Sequence, residues 1–343
     1  MSAQKNPAIS IARVMGMLLI VLCHTVAYYT FIPGSAFLGQ IFGVGVHLFF
    51  FVSGYLYGGK MVGNLGKWYA QRLLTVSVPA VITSIIVMIS LFIIGTKISA
   101  STVVVYLLNL EGILFLNSGV LNYFSEIVPL GHIWFTTIIM LCYLLVPLLQ
   151  KIKTPSSNAG NIAWISTFLA IGTLVCFFTF TFANLTFFFL FSIAYFLGRM
   201  RFLDKVRGNF AIGYSVILLA AIGGRLLMRH YFDNTAVYTF YVGISNFVLG
   251  TWPVIFLAYV YRKLPKIINV IADWKPLKWF DKYSFYIYLT HGIFCAGELN
   301  IYKLLPLPLA TVAFCVCTLI GAMILKWLCD FITKPLFARI RKQ

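Results

Sequence analysis

The chain has 343 residues, of which 61% are hydrophobic and 10% charged, whereas a soluble domain carries about 25% charged residues to face water. A mean hydropathy of +0.94 makes lipid the solvent for most of the surface, which excludes a water-soluble enzyme, a nucleic-acid-binding module and a disordered chain. The formal charge of +18 is a topology signal, because the basic residues sit between apolar stretches, where they orient a membrane protein.

A membrane-crossing helix needs about 20 apolar residues. Ten such windows occur in chain order, at about 8–31, 36–58, 73–95, 131–150, 161–181, 184–200, 210–228, 237–261, 283–303 and 309–333. The fifth and sixth are parted only by a turn near Ala183-Asn184, so counts of nine or eleven stay open. The first run is too long for a signal-peptide core and lacks a small-residue cleavage site, so it is expected to be retained. Between the third and fourth windows lies the longest connection, 96–130, which carries Glu111 and Glu126. Its apolar pieces VVVYLLNL and ILFLN are too short to span and are expected to be interfacial or re-entrant, capping a cavity from the outer face. With the N-terminus inside, all of the 26 basic residues except Lys97, Arg225, Arg229, Lys303 and Lys326 fall on the cytoplasmic side. The prediction is an all-α polytopic membrane protein with both termini cytoplasmic, one transmembrane domain over 1–343, and no separate soluble domain. The seven cysteines lie in or beside apolar stretches with no CxxC, and are expected to be buried thiols, not disulfides or zinc ligands.

Ionisable residues inside spans are costly and mark where function is sought. In the first span, Arg13 and His24 are eleven residues apart, about three helical turns, so they share a face roughly 16 Å apart along the axis. Arg13 then meets the cytoplasmic interface and His24 lies near mid-membrane, a spacing suited to an elongated ligand with an anionic end and a reactive end. The plainer readings are a snorkelling anchor for Arg13 and a hydrogen-bonded core residue for His24. The second span, VGVHLFFFVSGYLYGG, contains His47 and Ser53. Small residues at 53, 54, 58 and 59 permit close helix contact or approach of a ligand to backbone. No GxSxG elbow or adjacent base activates Ser53 as a nucleophile. The following KWYAQRLLTVSVP is expected to form a basic cytoplasmic turn in which Arg72 is placed to hold a phosphate, although Lys67 and Arg72 serve equally as topology charges. Span four opens GHIWFTTIIMLCYLLVP, with His132 and Trp134 at its outer end, the latter in the position of an interfacial anchor. Span nine begins KYSFYIYLTHGIF, with His291 two turns beyond Tyr283. Glu298, seven residues further, is expected on the same face and able to pair with His291.

Taken together these strings resemble the acyltransferase-3 family of bacterial inner-membrane acyltransferases, which use acyl-CoA to O-acylate cell-surface glycans. Arg13-x10-His24 is similar to the family's hallmark and FFFVSGYLYG to its FF-x-x-SG segment. HIWFTTIIMLCYLLVP is similar to its tryptophan-led fourth span, and YSFYIYLTH to its terminal tyrosine-to-histidine signature. The resemblance covers about residues 8–295. It implies that His24 is the catalytic histidine, that Arg13 contacts CoA, and that the basic stretch containing Arg72 helps hold CoA phosphates. Many relatives have R-x-x-R there, whereas this chain has Arg72-Leu-Leu-Thr75, so the second arginine has no counterpart. Ser53, Trp134, Tyr283, His291 and Glu298 are expected to touch substrate or brace the residues that do. The expected donor is acetyl-CoA or another acyl-CoA, and the expected acceptor a lipid-linked or exported surface glycan. Membrane lipids are expected partners, with no nucleic acid, no metal and no permanently bound cofactor. The resembled family places the chain in the bacterial inner membrane, without the fused periplasmic domain of some relatives. A neutral imidazole suits removal of a hydroxyl proton near neutral pH. The alternative, a transporter or flippase for a glycan precursor or anionic solute, would favour paired internal repeats, and no repeat is evident.

Overall fold

The computed structural model describes residues 6–114, 127–153, 158–178, 186–233 and 235–342, and among these all regular structure is helical. In chain order the helices are α1 (Pro7–Thr25), α2 (Ser35–Phe42), α3 (Gly45–Gly58), α4 (Leu65–Arg72), α5 (Val78–Ile93), α6 (Ala100–Leu107), α7 (Glu111–Leu114) and α8 (Trp134–Lys151). They continue as α9 (Asn158–Phe178), α10 (Thr186–Arg199), α11 (Gly208–Phe232), α12 (Ala236–Lys263), α13 (Pro265–Asp273), α14 (Lys275–Cys295) and α15 (Leu307–Lys342). The turn expected near Ala183-Asn184, the end of the ILFLN piece and Glu126 lie outside the described residues.

Among the described residues, eight helical stretches are long and apolar enough to cross a membrane, and each overlaps an expected span: Pro7–Tyr28, Ser35–Gly58, Leu65–Ile93, Trp134–Lys151, Asn158–Val175, Gly208–Phe232, Ala236–Lys263 and Leu307–Ile340. The other two expected spans are α10, which has only 14 residues, and α14, whose opening KPLKWFDK is polar. Two boundaries differ from the sequence reading. The third span begins at Leu65, because Asn64 caps α4 by accepting from the Lys67 backbone N–H. A π-helical turn, Leu73–Ser77, then carries the helix on into α5. Lys67 and Arg72 therefore lie on a helix, not in a turn. The ninth expected span, α14, starts early, at Lys275, and stops at Cys295, after which Gly297 takes a left-handed φ of +66°. Glu298 follows in a separate 3-10 turn, Gly297–Leu299, and is exposed.

The chain forms two compact units, and α1, α2, α8 and α14 contribute to both. In the first unit (Met1–Leu19, Ile41–Met61 and Leu145–Lys282), α3 lies against α10. A Cβ at Gly54 or Gly58 would overlap the carbonyls of Phe191 or Tyr195, and one at Gly198 would overlap that of Tyr55. The small residues of FFFVSGYLYG thus serve helix packing of the small-xxx-small kind. Val44, just before α3, packs with Ala221 of α11 and Leu249 of α12 in an apolar cluster. Arg225, expected as an outer-side charge, is instead fully buried within α11. It donates to Ser245 Oγ (2.6 Å), the Val242 carbonyl (3.1 Å) and Asn246 Oδ1 on α12. Those bonds supply the polar partners that lipid cannot.

In the second unit (Ile20–Gln40, Val62–Leu144 and Tyr283–Gln343), the stretch after α5 turns back inward. Asn109 Nδ2 donates to Ser77 Oγ at 3.3 Å, and Ser77 lies 16 residues, about 24 Å of helix, from Ile93 at the end of α5. The Asn109 backbone (φ 54°) and side chain are held by Thr137 and Thr136 of α8, whose hydroxyls donate at 2.8 and 2.6 Å. The stretch after α5 therefore folds back alongside it to Asn109, at the level of Ser77. Within α15, Lys326 bonds Asp330 at 2.8 Å, which neutralises a cation inside the last span.

Candidate active site

His24 occupies the last turn of α1, His291 the last turn but one of α14, and His132 the turn that leads into α8. All three belong to the second unit. Their ring centroids lie 5.0 Å (His24–His291), 4.7 Å (His132–His291) and 6.5 Å (His24–His132) apart. His291 is completely buried and His132 is 7% exposed, whereas His24 keeps an exposed surface. The one accessible imidazole thus rests on two buried ones.

Backbone carbonyls decide how the protons sit. His291 Nδ1 is 2.6 Å from the Tyr288 carbonyl oxygen, and His24 Nδ1 is 3.0 Å from that of Ile20. A carbonyl only accepts, so both Nδ1 atoms carry protons in this network assignment. His291 Nε2 is then a lone pair, and it accepts from His24 Nδ1–H at 3.1 Å. The reverse assignment would leave two lone pairs facing carbonyl oxygens. In the satisfied arrangement the lone pair of His24 is on Nε2, which is the form required of a general base. His132 is turned by the same logic: its Nε2 lies 3.1 Å from the Leu289 carbonyl, and Tyr288 donates its hydroxyl to the His132 carbonyl. Gly292 permits this packing, since a Cβ there would overlap the His132 ring. Among the described residues no group of three His, Cys, Asp or Glu is placed to hold a metal ion.

Arg13 is held in the first unit, where Asp281 of α14 grips its guanidinium with both carboxylate oxygens. Nε donates to Oδ1 at 2.8 Å and Nη2 to Oδ2 at 2.7 Å. Because α1 is unbroken from Pro7 to Thr25, the eleven-residue spacing of Arg13 and His24 keeps them on one helical face, roughly 16 Å apart. Arg72 ends α4 and is half-buried, immediately before the π turn. Ser53 is half-buried on α3, Trp134 is the first residue of α8, and Tyr283 is half-buried two turns before His291.

Of the residues singled out from sequence, the structure joins His24 directly to His291. It does not place Glu298 beside His291, because the helix that would have aligned them ends first. Asp281 and Gly292 were missed, and His132 was noticed without a role. The available signal for Asp281 was its place: it precedes His291 by ten residues on α14, much as Arg13 precedes His24 by eleven on α1.

A family model described as an acyltransferase domain, that of the acyltransferase-3 family, matches residues 6–327 of the chain. No curated protein and no solved structure matches it.

Proposed function

On the premise that the chain belongs to the acyltransferase-3 family and is a membrane acyltransferase, we propose that it transfers an acyl group, acetyl by preference, from acyl-CoA to a hydroxyl of a lipid-linked or exported glycan. The observation that carries this reading is the His24–His291 pair, which leaves a lone pair on Nε2 of His24, an exposed residue, backed by a buried imidazole. His24 Nε2 takes the acceptor hydroxyl's proton as that oxygen attacks the thioester carbonyl. The new C–O bond forms a tetrahedral intermediate, the C–S bond breaks, and imidazolium returns its proton to the CoA thiolate. The products are ester and free CoA, with His24 neutral again. His291 Nε2 accepts from His24 Nδ1–H throughout and stabilises the imidazolium between the two proton transfers.

Arg13 and Arg72 are the donor-binding residues of this reading, since guanidinium groups recognise the phosphates of CoA by charge-assisted bonds. The charge bias supports entry of the donor from the cytoplasmic side, and membership of the family supports a bacterial inner-membrane location. An apolar cleft of about 450 Å³ in the second unit supports lateral access for a lipid-linked acceptor. It is lined by Ile86 of α5, Ile293 and Phe294 of α14, and Ile324 and Leu325 of α15. The Thr83, Ser90 and Thr290 hydroxyls at its walls bond backbone carbonyls.

The test is thiol release from acetyl-CoA by the detergent-purified protein, with and without an extract of lipid-linked glycans and with no transmembrane gradient. Release that depends on the extract is expected. Gradient-driven movement of glycolipid in vesicles without thiol release would contradict the reading in favour of a transporter.

A further inference from the structure

The bonds between Arg13 and Asp281 have a direction as well as a strength. A guanidinium has two edges able to meet an anion with two parallel bonds: one made by Nε and Nη2, the other by Nη1 and the second proton of Nη2. Asp281 occupies the first edge, with Oδ1 on Nε at 2.8 Å and Oδ2 on Nη2 at 2.7 Å. The second edge then faces away from the carboxylate in a fixed plane. Both side chains are largely but not wholly enclosed, Arg13 at 27% and Asp281 at 13% exposed. The long arginine side chain otherwise samples many rotamers, and immobilising it on binding costs conformational entropy.

Resting on the donor reading above, we infer that Asp281 is a positioning residue for Arg13, holding the guanidinium so that its Nη1/Nη2 edge meets a phosphate of CoA. The sign of this inference is exposed to test. A carboxylate beside a phosphate site repels the ligand, so a pure charge effect makes removal of Asp281 tighten CoA binding. Positioning makes the same removal weaken it.

The experiment is titration of CoA, by calorimetry, on the full-length detergent-purified protein and on Asp281→Asn, Asp281→Glu and Arg13→Ala, with the melting temperature of each unliganded variant. Asp281→Asn is expected to raise the Kd for CoA about fivefold, the penalty for an arginine that must order itself on binding. Its melting temperature should stay within about 2 °C of wild type, because the amide keeps a hydrogen bond to the guanidinium. Asp281→Glu should recover most of the affinity. If Asp281→Asn binds CoA as tightly as wild type or tighter while Arg13→Ala binds it weakly, the positioning role is overturned and the donor reading stands. Weaker binding accompanied by a larger fall in melting temperature, with no recovery in Asp281→Glu, makes Asp281 a structural tether and also overturns it. If Arg13→Ala binds CoA like wild type, the donor reading itself fails, and the inference with it.

Discussion

The division of labour among the three histidines follows from exposure and from carbonyls. His24 has the accessible ring, while His132 and His291 are buried and spend nitrogens on the backbone. Removing His291 leaves His24 Nδ1–H bonded to the Ile20 carbonyl alone and takes away the imidazole behind it. Turnover of His291→Ala is therefore expected to fall about 10- to 100-fold, the usual effect of losing a group that orients a functional histidine, and less than that of His24→Ala. Steady-state thiol release checks it; an equal loss in both would mean the two act as one unit. Gly292→Ala would drive a methyl group into the His132 ring. It should lower stability by about 1–3 kcal/mol, as overpacking does, read as a drop in melting temperature; a variant as stable as wild type would show that His132 moves aside freely. At this scale the sequence was informative about His24 and His291, because an ionisable residue in an apolar window stands out. It was silent about their bond, since 267 residues separate them. Asp281 was hidden for a different reason: it lies in a polar stretch, KPLKWFDK, where another charge attracts no notice.

Helix packing in the first unit depends on backbone meeting backbone. Gly58 faces the Tyr195 carbonyl and Gly198 faces that of Tyr55, so neither neighbour is a flexible side chain that can yield. Gly58→Ala must part α3 from α10, and a thermal-shift assay should show it less stable than Ala substitution at Gly59, where a Cβ meets open space. Equal melting temperatures would refute the close packing. Ser245→Ala leaves Arg225 Nε without its partner in a fully buried setting, so a loss of about 1.5–3 kcal/mol is expected, the range for hydrogen bonds to charged groups. The spans were legible because each needs only length and apolarity, and GxxxG spacing foretold the close contact. Helix ends were less legible. Asn64 as a cap and Gly297 as a stop are single residues, and a window average passes over both, which is why Arg72 was expected in a turn and Glu298 on a helix.

For the whole molecule the claims are an orientation and an activity. On the proposed orientation the basic residues face the cytoplasm, so a cysteine engineered at Asn122, outside the described residues, should react with an impermeant maleimide added to intact cells. One at Asn158, which starts α9, should not; the opposite pattern would invert the topology and put the donor on the wrong face. The proposed activity has His24 acting as the base, and mass spectrometry of surface glycans is its most direct measurement. Cells carrying the wild-type protein are compared with cells carrying His24→Ala at equal membrane abundance. The expected result is a mass increment of one acyl group with the wild type and its loss by at least about 100-fold with His24→Ala, the lower bound for a general base. Glycans that keep the increment in full in the His24→Ala cells would contradict the account.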